Sequence, residues 1–216
     1  MKIRLLTALL VSGIAAIAGF VFQPQLGTKG DLVLSEDFSH GATLDTKLWQ
    51  SRQHTRWSIA DGVLHGQPST PEYQASRKDH QGLEPRLMIR TDLKDYAIEF
   101  RFRVNSGEQH MVGAFFEVGH HFARVAFKKS GLEMNIGDLK NPTILASKPE
   151  VKLETGKWYH VLAETRGDQT VVQFEGGPTL RGKDPRIAEH ADGFGITGLR
   201  GGTIDVDDVK LWALAP

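Results

Sequence analysis

The charged residues whose spacing most favours ligand binding lie in one alternating segment, Tyr96–Val104. Glu99, Arg101 and Arg103 alternate with apolar residues, so a β-strand here would place the charged side chains on one face and the apolar ones in a core. Guanidinium and carboxylate groups form strong hydrogen bonds to hydroxyl-rich ligands. We therefore predict a ligand-binding face, with a solvated face of cross-strand ion pairs as the alternative.

Charged residues from later segments are predicted to join this candidate ligand face. The full set consists of Glu99, Arg101, Arg103, Glu117, His121, Arg124, His160 and Glu164. The three glutamates are the acid/base candidates if the protein is an enzyme, because each lies on an alternating segment with cations nearby. The sequence leaves open whether any of them is catalytic.

Three histidines, His110, His120 and His121, raise the question of a metal site. A zinc ion takes three or four converging ligands. His120 and His121 are adjacent in the chain, and adjacent residues of a strand point to opposite faces. This pattern argues against a shared ion.

Short alternating segments separated by turn residues must position all of these side chains. The strand candidates besides 96–104 are Leu32–Leu34, Trp57–Ile59, Val63–Gly66, Leu87–Arg90, Val112–Val118, Phe122–Lys128, Leu132–Ile136, Tyr159–Thr165, Thr170–Phe174, Gly193–Thr197 and Ile204–Trp212. No segment shows a helical stripe of ten residues or more. We therefore predict an all-β fold, an antiparallel β-sandwich of the jelly-roll kind. The long polar segment Gln67–Gln81, which contains Tyr73, is either a binding rim or a plain surface loop.

The first residues of the chain predict export. Lys2 and Arg4 precede the apolar run Leu5–Phe22, and Ala16-Ile17-Ala18 predicts cleavage before Gly19. An uncleaved membrane anchor is the alternative, and either one places the domain in the periplasm or outside the cell. Residues 1–22 are thus a signal peptide or anchor, 23–30 a linker and 31–216 the sandwich domain. Membrane contact is expected only through the N-terminal segment.

Composition excludes several classes of function. The 216 residues include no cysteine, which excludes disulfides, catalytic thiols and cysteine-based zinc sites. The formal net charge is zero and no basic stripe stands out, so nucleic acid is not an expected partner. The length fits one domain.

Several segments, taken in chain order, resemble the concanavalin A-like lectin/glucanase superfamily. Leu32–Phe38 resembles its opening strand, and Trp57–Gly66 is similar to its "W-x-I-x-D-G-x-L" hairpin. Lys157–Gly176 is similar to a hairpin of laminin-G-like sandwiches, and Ile204–Trp212 to the last strand. The resemblance implies a concanavalin A-like sandwich, and Asp-Gly in the second segment supplies the positive-φ residues of a tight hairpin.

A narrower likeness is to the 3-keto-disaccharide hydrolase domain family. Trp57–Gly66, Tyr96–Val104 and Asn105-Ser106-Gly107 carry it. In that family the last element leads into an arginine-bearing strand, whereas Glu108-Gln109-His110-Met111 follows here.

The catalytic string of laminarinase-type glucanases, E-x-D-x-x-E, is absent from the chain. It places two carboxylates on one face, about 5 Å apart for a retaining mechanism. The nearest string, Asp205-x-Asp207-Asp208, lacks both glutamates. This departure favours binding over hydrolysis.

One structural calcium ion is the cofactor that the resemblance implies; the alternative is no cofactor. Sandwiches of this type often join the first strand to the last through carboxylates and carbonyls, and calcium takes six to eight oxygens. The candidate ligands are Glu36, Asp37, Asp205, Asp207 and Asp208. Capping and turn roles for these acids are the alternative.

The sequence therefore favours an exported, lectin-like sandwich that binds a carbohydrate or glycoconjugate on its concave sheet. The first alternative is a glycoside hydrolase of the 3-keto-disaccharide hydrolase type. The second is a structural or adhesive domain without a small ligand.

Overall fold

The computed structural model describes residues 21–40, 43–191 and 193–215. The strands are β1 (Thr28–Glu36), β2 (Trp49–Ser51), β3 (Arg56–Ala60), β4 (Val63–Gln67), β5 (Arg86–Ile89), β6 (Tyr96–Val104), β7 (Ala114–Val118), β8 (Arg124–Lys128), β9 (Gly131–Ile136), β10 (Thr143–Lys148), β11 (Trp158–Arg166), β12 (Gln169–Phe174), β13 (Thr179–Lys183), β14 (Phe194–Thr197) and β15 (Ile204–Ala215). One five-residue helix, α1 (Pro71–Ala75), and one 3₁₀ turn, Pro185–Glu189, complete the described elements. The predicted all-β fold is confirmed.

Two antiparallel sheets form the sandwich. Sheet A has the strand order β13-β12-β11-β6-β15-β4-β3, with β1 also paired to β15. Sheet B has the order β10-β9-β8-β7-β14-β5-β2. Neighbours in the sheets are often distant in the chain, as between β6 and β15, so long-range pairing holds the fold together.

Period-two alternation builds the core between the sheets, as the sequence predicted. Phe100 and Phe102 of β6 are buried and point inward, while the charged residues between them lie on the outer face. The Phe100 ring lies 5.3 Å from Phe116 of β7 and 5.3 Å from Phe194 of β14, centre to centre. Edge-to-face aromatic contacts of this kind add to the free energy gained by apolar burial.

The β3–β4 hairpin has the turn that its sequence predicted. Asp61 and Gly62 both adopt positive φ, 51° and 72°, as a tight hairpin turn requires. The Trp57 ring packs on Gly66 of the partner strand, where an added Cβ would lie 2.5 Å from the ring. The tryptophan and the glycine of this segment are therefore needed together.

Three strands were not predicted: β2, β10 and β13. Each lies at an edge of its sheet. An edge strand buries less of its surface, so its sequence has less need of regular alternation. Strand β10, for example, has no buried residue.

The N-terminal boundary of the domain also differs from the prediction. Thr28–Gly30 belong to β1, which begins within the predicted linker and pairs with the end of β15. The predicted cleavage site lies outside the described residues. Within the described residues, no helix has the length and apolar character needed to cross a membrane.

Candidate functional site

The eight candidate ligand-binding residues lie on two different sheets. Sheet A carries Glu99, Arg101 and Arg103 on β6 and His160 and Glu164 on β11; sheet B carries Glu117 on β7, Arg124 on β8 and His121 in the loop between them. Strands β6 and β7 are consecutive in the chain but belong to different sheets. The expectation that one face would hold all eight residues is therefore wrong.

The outer face of sheet A is covered in part by an N-terminal strap, residues 22–29. The backbone N–H groups of Gln25 and Leu26 donate to the Glu164 carboxylate at 2.8 Å and 3.0 Å. Phe22, only 3% exposed, packs edge-on against the His160 ring at 4.7 Å between ring centres. Glu164 is 0% exposed, so solvent and ligands do not reach it in this conformation.

Glu99 is held by a cation on each side. Its carboxylate accepts hydrogen bonds from Lys29 Nζ at 2.6 Å and from His160 Nε2 at 2.9 Å. Burial alone would raise the pKa of Glu99, but hydrogen bonds from His160 and Lys29 outweigh it and lower the pKa to about 2. The hydrogen bond to Glu99 in turn raises the pKa of His160. A carboxylate held this firmly ionised is a poor proton donor.

The arginines of the sheet A face have acidic partners. Arg103 donates to Asp205 at 2.6 Å and 3.1 Å, and Arg101 donates to Asp208 at 3.1 Å. Both guanidinium groups also lie over the Trp158 ring, 4.7 Å and 4.9 Å from its centre. This face therefore has the cross-strand ion pairs that were the expected alternative to a ligand site.

The sheet-B cavity, of about 560 Å³, lies over the outer face of β5, β7 and β14. Its floor is formed by the outward-facing residues of these strands: Arg86, Met88, Glu117, Gly195 and Thr197. Gly195 leaves the centre of the floor open, because a Cβ there would lie 3.2 Å from the Glu117 side chain. The rim includes His54, Tyr73, Arg77, His121 and Arg200.

A buried polar cluster connects the floor of the cavity to β8 and β9. Arg124 donates from Nε to Glu117 at 3.2 Å, from one terminal nitrogen to Asn135 at 3.0 Å, and from the other to His121 Nδ1 at 2.7 Å. The His121 backbone N–H donates to the same Glu117 carboxylate at 3.1 Å. Because arginine only donates, His121 Nδ1 must accept, and the proton of the neutral ring lies on Nε2.

The charges of this cluster set its protonation states. Burial alone would raise the pKa of Glu117, but the hydrogen bond from His120 and the charge of Arg124 outweigh it, so the pKa lies below its usual value. Burial lowers the pKa of His121, and the nearby charge of His120 lowers it further. At neutral pH the cluster therefore combines an ionised carboxylate with a neutral imidazole.

Backbone strain is concentrated around the sheet-B cavity. Eight non-glycine residues among those described have positive φ, and four of them line the cavity: Gln53, His54, His80 and His121. Such conformations cost of order 1–3 kcal/mol each and are common at ligand sites. Hydrogen bonds such as the one from the His121 N–H to Glu117 hold the strained loop in place.

Glu117, His120 and His121 also approach the geometry of a metal site. Their potential ligand atoms all lie within 4.8 Å of one another. The expectation that the two histidines face opposite ways is wrong, because residues 119–123 form a loop instead of a strand and the two rings lie 3.8 Å apart. His110 is not part of the group. The guanidinium of Arg124 already binds two of the three residues, which disfavours a cation there.

The five acids predicted to bind calcium mostly have other partners. Glu36 and Asp37 accept hydrogen bonds from backbone N–H groups two residues ahead. Asp205 binds His65 and Arg103, while Asp207 and Asp208 lie 3.7 Å and 3.1 Å from Arg101. Calcium binding stays a prediction, and the arginine partners count against it.

Most residues of the sheet-B cavity were not predicted. Arg86 begins a short strand, and Arg52, His54 and Arg200 lie in loops without a recognisable motif. One signal in the sequence did point to the cavity: the long polar segment 67–81, which was expected to be either a binding rim or a plain surface loop. Tyr73 and Arg77 of this segment line the cavity, which supports the binding rim.

Comparison with known proteins adds information on the fold. No protein-family profile matches the chain, and no curated protein does. Among solved structures, a carbohydrate-binding module, CBM66 from Bacillus subtilis, is 14% identical with a TM-score of 0.52, covering 76% of this chain and 95% of that one. SCLam, a non-specific endo-β-1,3(4)-glucanase from family GH16, is 12% identical with a TM-score of 0.59, covering 89% and 95%. The GH43 protein BlXynB from Bacillus licheniformis is 15% identical with a TM-score of 0.57, and the match covers 88% of this chain and 40% of the BlXynB chain.

The described chain therefore has the fold of a two-sheet jelly-roll β-sandwich, as the sequence predicted, and these similar structures share that fold. The narrower likeness to 3-keto-disaccharide hydrolases stays a prediction. Fold alone does not define activity, so function must be argued from the site.

Proposed function

We propose that the protein binds a carbohydrate or glycoconjugate in the sheet-B cavity. The observation that carries the proposal is the cavity itself, a concave site of about 560 Å³ whose floor includes Glu117, held in place by the buried Arg124. Ligand sites typically have this size and a few fixed polar groups. Similar solved structures include a carbohydrate-binding module and a glucanase, which supports a sugar as the ligand.

The rim of the cavity suits a sugar ring. Tyr73 stacks on His54 with 4.4 Å between ring centres, and the Arg77 guanidinium lies over the Tyr73 ring, 5.9 Å from its centre. An aromatic face can pack against the C–H groups of a sugar while guanidinium groups bind its hydroxyls. The α1 segment that carries Tyr73 is capped by Thr70, whose hydroxyl accepts from the Tyr73 N–H.

Two substitutions on opposite faces of the sandwich test the location of the site. Tyr73→Ala removes the rim aromatic, and we expect it to weaken glycan binding about tenfold with little change in melting temperature. Arg101→Ala on sheet A should leave binding unchanged. Affinities for hits from a glycan array would be measured by calorimetry. Loss of binding in Arg101→Ala alone would place the site on sheet A and contradict the proposal.

Hydrolysis of a glycoside is the second candidate function, and it includes the 3-keto-disaccharide hydrolase alternative. Glu117 favours it, because the lowered pKa keeps this carboxylate ionised on the floor of the cavity, and an ionised carboxylate can act as a general base. Incubation with ordinary and 3-keto disaccharides, followed by chromatography of the products, separates hydrolysis from binding. A chain that neither binds nor hydrolyses glycans would be a structural domain. Action outside the cytoplasm stays a prediction from the N-terminal sequence.

A further inference from the structure

The sheet-B cavity has an excess of positive charge that its own residues do not neutralise. Four arginines line it: Arg52, Arg77, Arg86 and Arg200. In the part of the chain that the structure describes, none of the four has an ion-pair partner, whereas Arg101, Arg103 and Arg124 each have one.

The carboxylates that line the cavity do not offset this charge. Only two of the lining residues are acidic, Glu84 and Glu117. The charge of Glu117 is already balanced by Arg124, at 3.2 Å. Four guanidinium groups therefore face a single acid that lacks an ion pair, so the cavity favours anions.

Arg86 shows where an anion would bind. It lies on the floor, on β5, and its Nε is buried without a hydrogen-bond partner. Its guanidinium carbon lies 5.6 Å from the centre of the Phe115 ring, and that of Arg124 lies 5.3 Å from the same ring. Phe115 thus packs against Arg86, and no described residue accepts a hydrogen bond from this guanidinium, so an anion that reaches its terminal nitrogens from the cavity would supply the missing acceptor.

We propose that the ligand of the sheet-B cavity is an anionic glycan, one whose sugars carry carboxylate or sulfate groups. This inference rests on the proposed function and names its ligand class. The paired oxygens of a carboxylate or sulfate accept two parallel N–H donors from a guanidinium, as a neutral hydroxyl does not. Arg86 binds the acidic group from the floor, and Arg52, Arg77 and Arg200 add positive charge at the rim.

Matched polymers that differ only in charge test the proposal. Oligogalacturonate is compared with its methyl ester, and dextran sulfate with dextran, by calorimetry at low and at physiological salt. We expect the charged member of at least one pair to bind about tenfold or more tightly than the neutral one, which corresponds to one charge-assisted contact. The pair that shows the difference distinguishes a carboxylate ligand from a sulfate one.

Substitutions then locate the preference. Arg86→Gln, and independently Arg200→Gln in a loop, should reduce the charged-over-neutral ratio about tenfold or more, while Arg101→Gln on sheet A leaves it unchanged. Thermal melts confirm that each variant folds. An equal affinity for both members of each pair, or a ratio unaffected by both cavity variants, overturns the proposal. If neutral glycans from the array bind in the cavity but charged ones bind no better, glycan binding stands and the preference for an anionic glycan fails. If no glycan binds at all, both proposals fail.

Discussion

At the scale of single residues, ion pairs fix the charged side chains of both outer faces. Glu117, on the floor of the cavity, forms a buried ion pair with Arg124. On the opposite face, Glu99 is bound by Lys29, a residue seventy positions away in the chain. Partners of this kind are set by which strands pair, and alternation within one strand does not contain that information.

Breaking the buried pair should be costly. Glu117→Gln leaves the Arg124 charge buried without its partner, so we expect the free energy of unfolding to fall by about 3–5 kcal/mol. Urea denaturation measures the change. The double variant Glu117→Leu with Arg124→Met removes both charges and should recover most of the loss. A double variant as unstable as the single one would show that the pair is not the source of the effect.

The contacts of the strap predict an acid-sensitive component of stability. The pKa of Glu99 is lowered to about 2, so its ionised form stabilises the fold above its usual pKa of about 4.3 and this contribution is lost as the pH falls toward 2. The raised pKa of His160 has the opposite sign: its contribution is present below about pH 6.5 and is lost as the pH rises through the raised value.

Urea denaturation of the wild-type protein and of Glu99→Gln, at a series of pH values, measures this component. The stability difference between the two should shrink steadily from about pH 5 to pH 2 as the wild-type carboxylate becomes protonated. A difference that stays constant over this range would contradict the assignment of the low pKa to Glu99.

At the scale of elements, most strands were predictable and the strap was not. Inner strands such as β6 are buried on one face and half-buried on the other, so their sequences alternate. Residues 23–30 do not alternate and were expected to form a linker. They are held on sheet A mainly by backbone groups, including the two N–H donors to Glu164, and any residue type except proline supplies those donors.

One apolar side chain should secure the strap. Phe22 packs on Ala97 and Leu162, and we expect Phe22→Ala to lower the free energy of unfolding by about 2 kcal/mol. It should also speed hydrogen exchange at the Gln25 and Leu26 amides, which mass spectrometry of the exchanged protein measures. Val21→Ala is the matched control, because Val21 is 71% exposed. Equal effects of the two substitutions would mean that the strap is held in another way.

At the scale of the whole molecule, the sandwich fold was predictable and the assignment of strands to sheets was not. Phe116 of sheet B contacts Phe100 and Phe102 of sheet A, so the two sheets share one core. The inner face of each strand could be read from its sequence. The crossover between β6 and β7 could not, and it moved Glu117 and Arg124 to the face that holds the cavity.

The strap also fixes how the molecule is presented to its surroundings. It lies on the outer face of sheet A, and its residue Thr28, where β1 begins, pairs with Ala215 near the other end of the chain. Both ends of the described chain therefore leave from the side of sheet A, and the cavity opens on the side of sheet B. A carrier protein or a solid support joined through either end would therefore attach at sheet A, the layer opposite the one that holds the cavity.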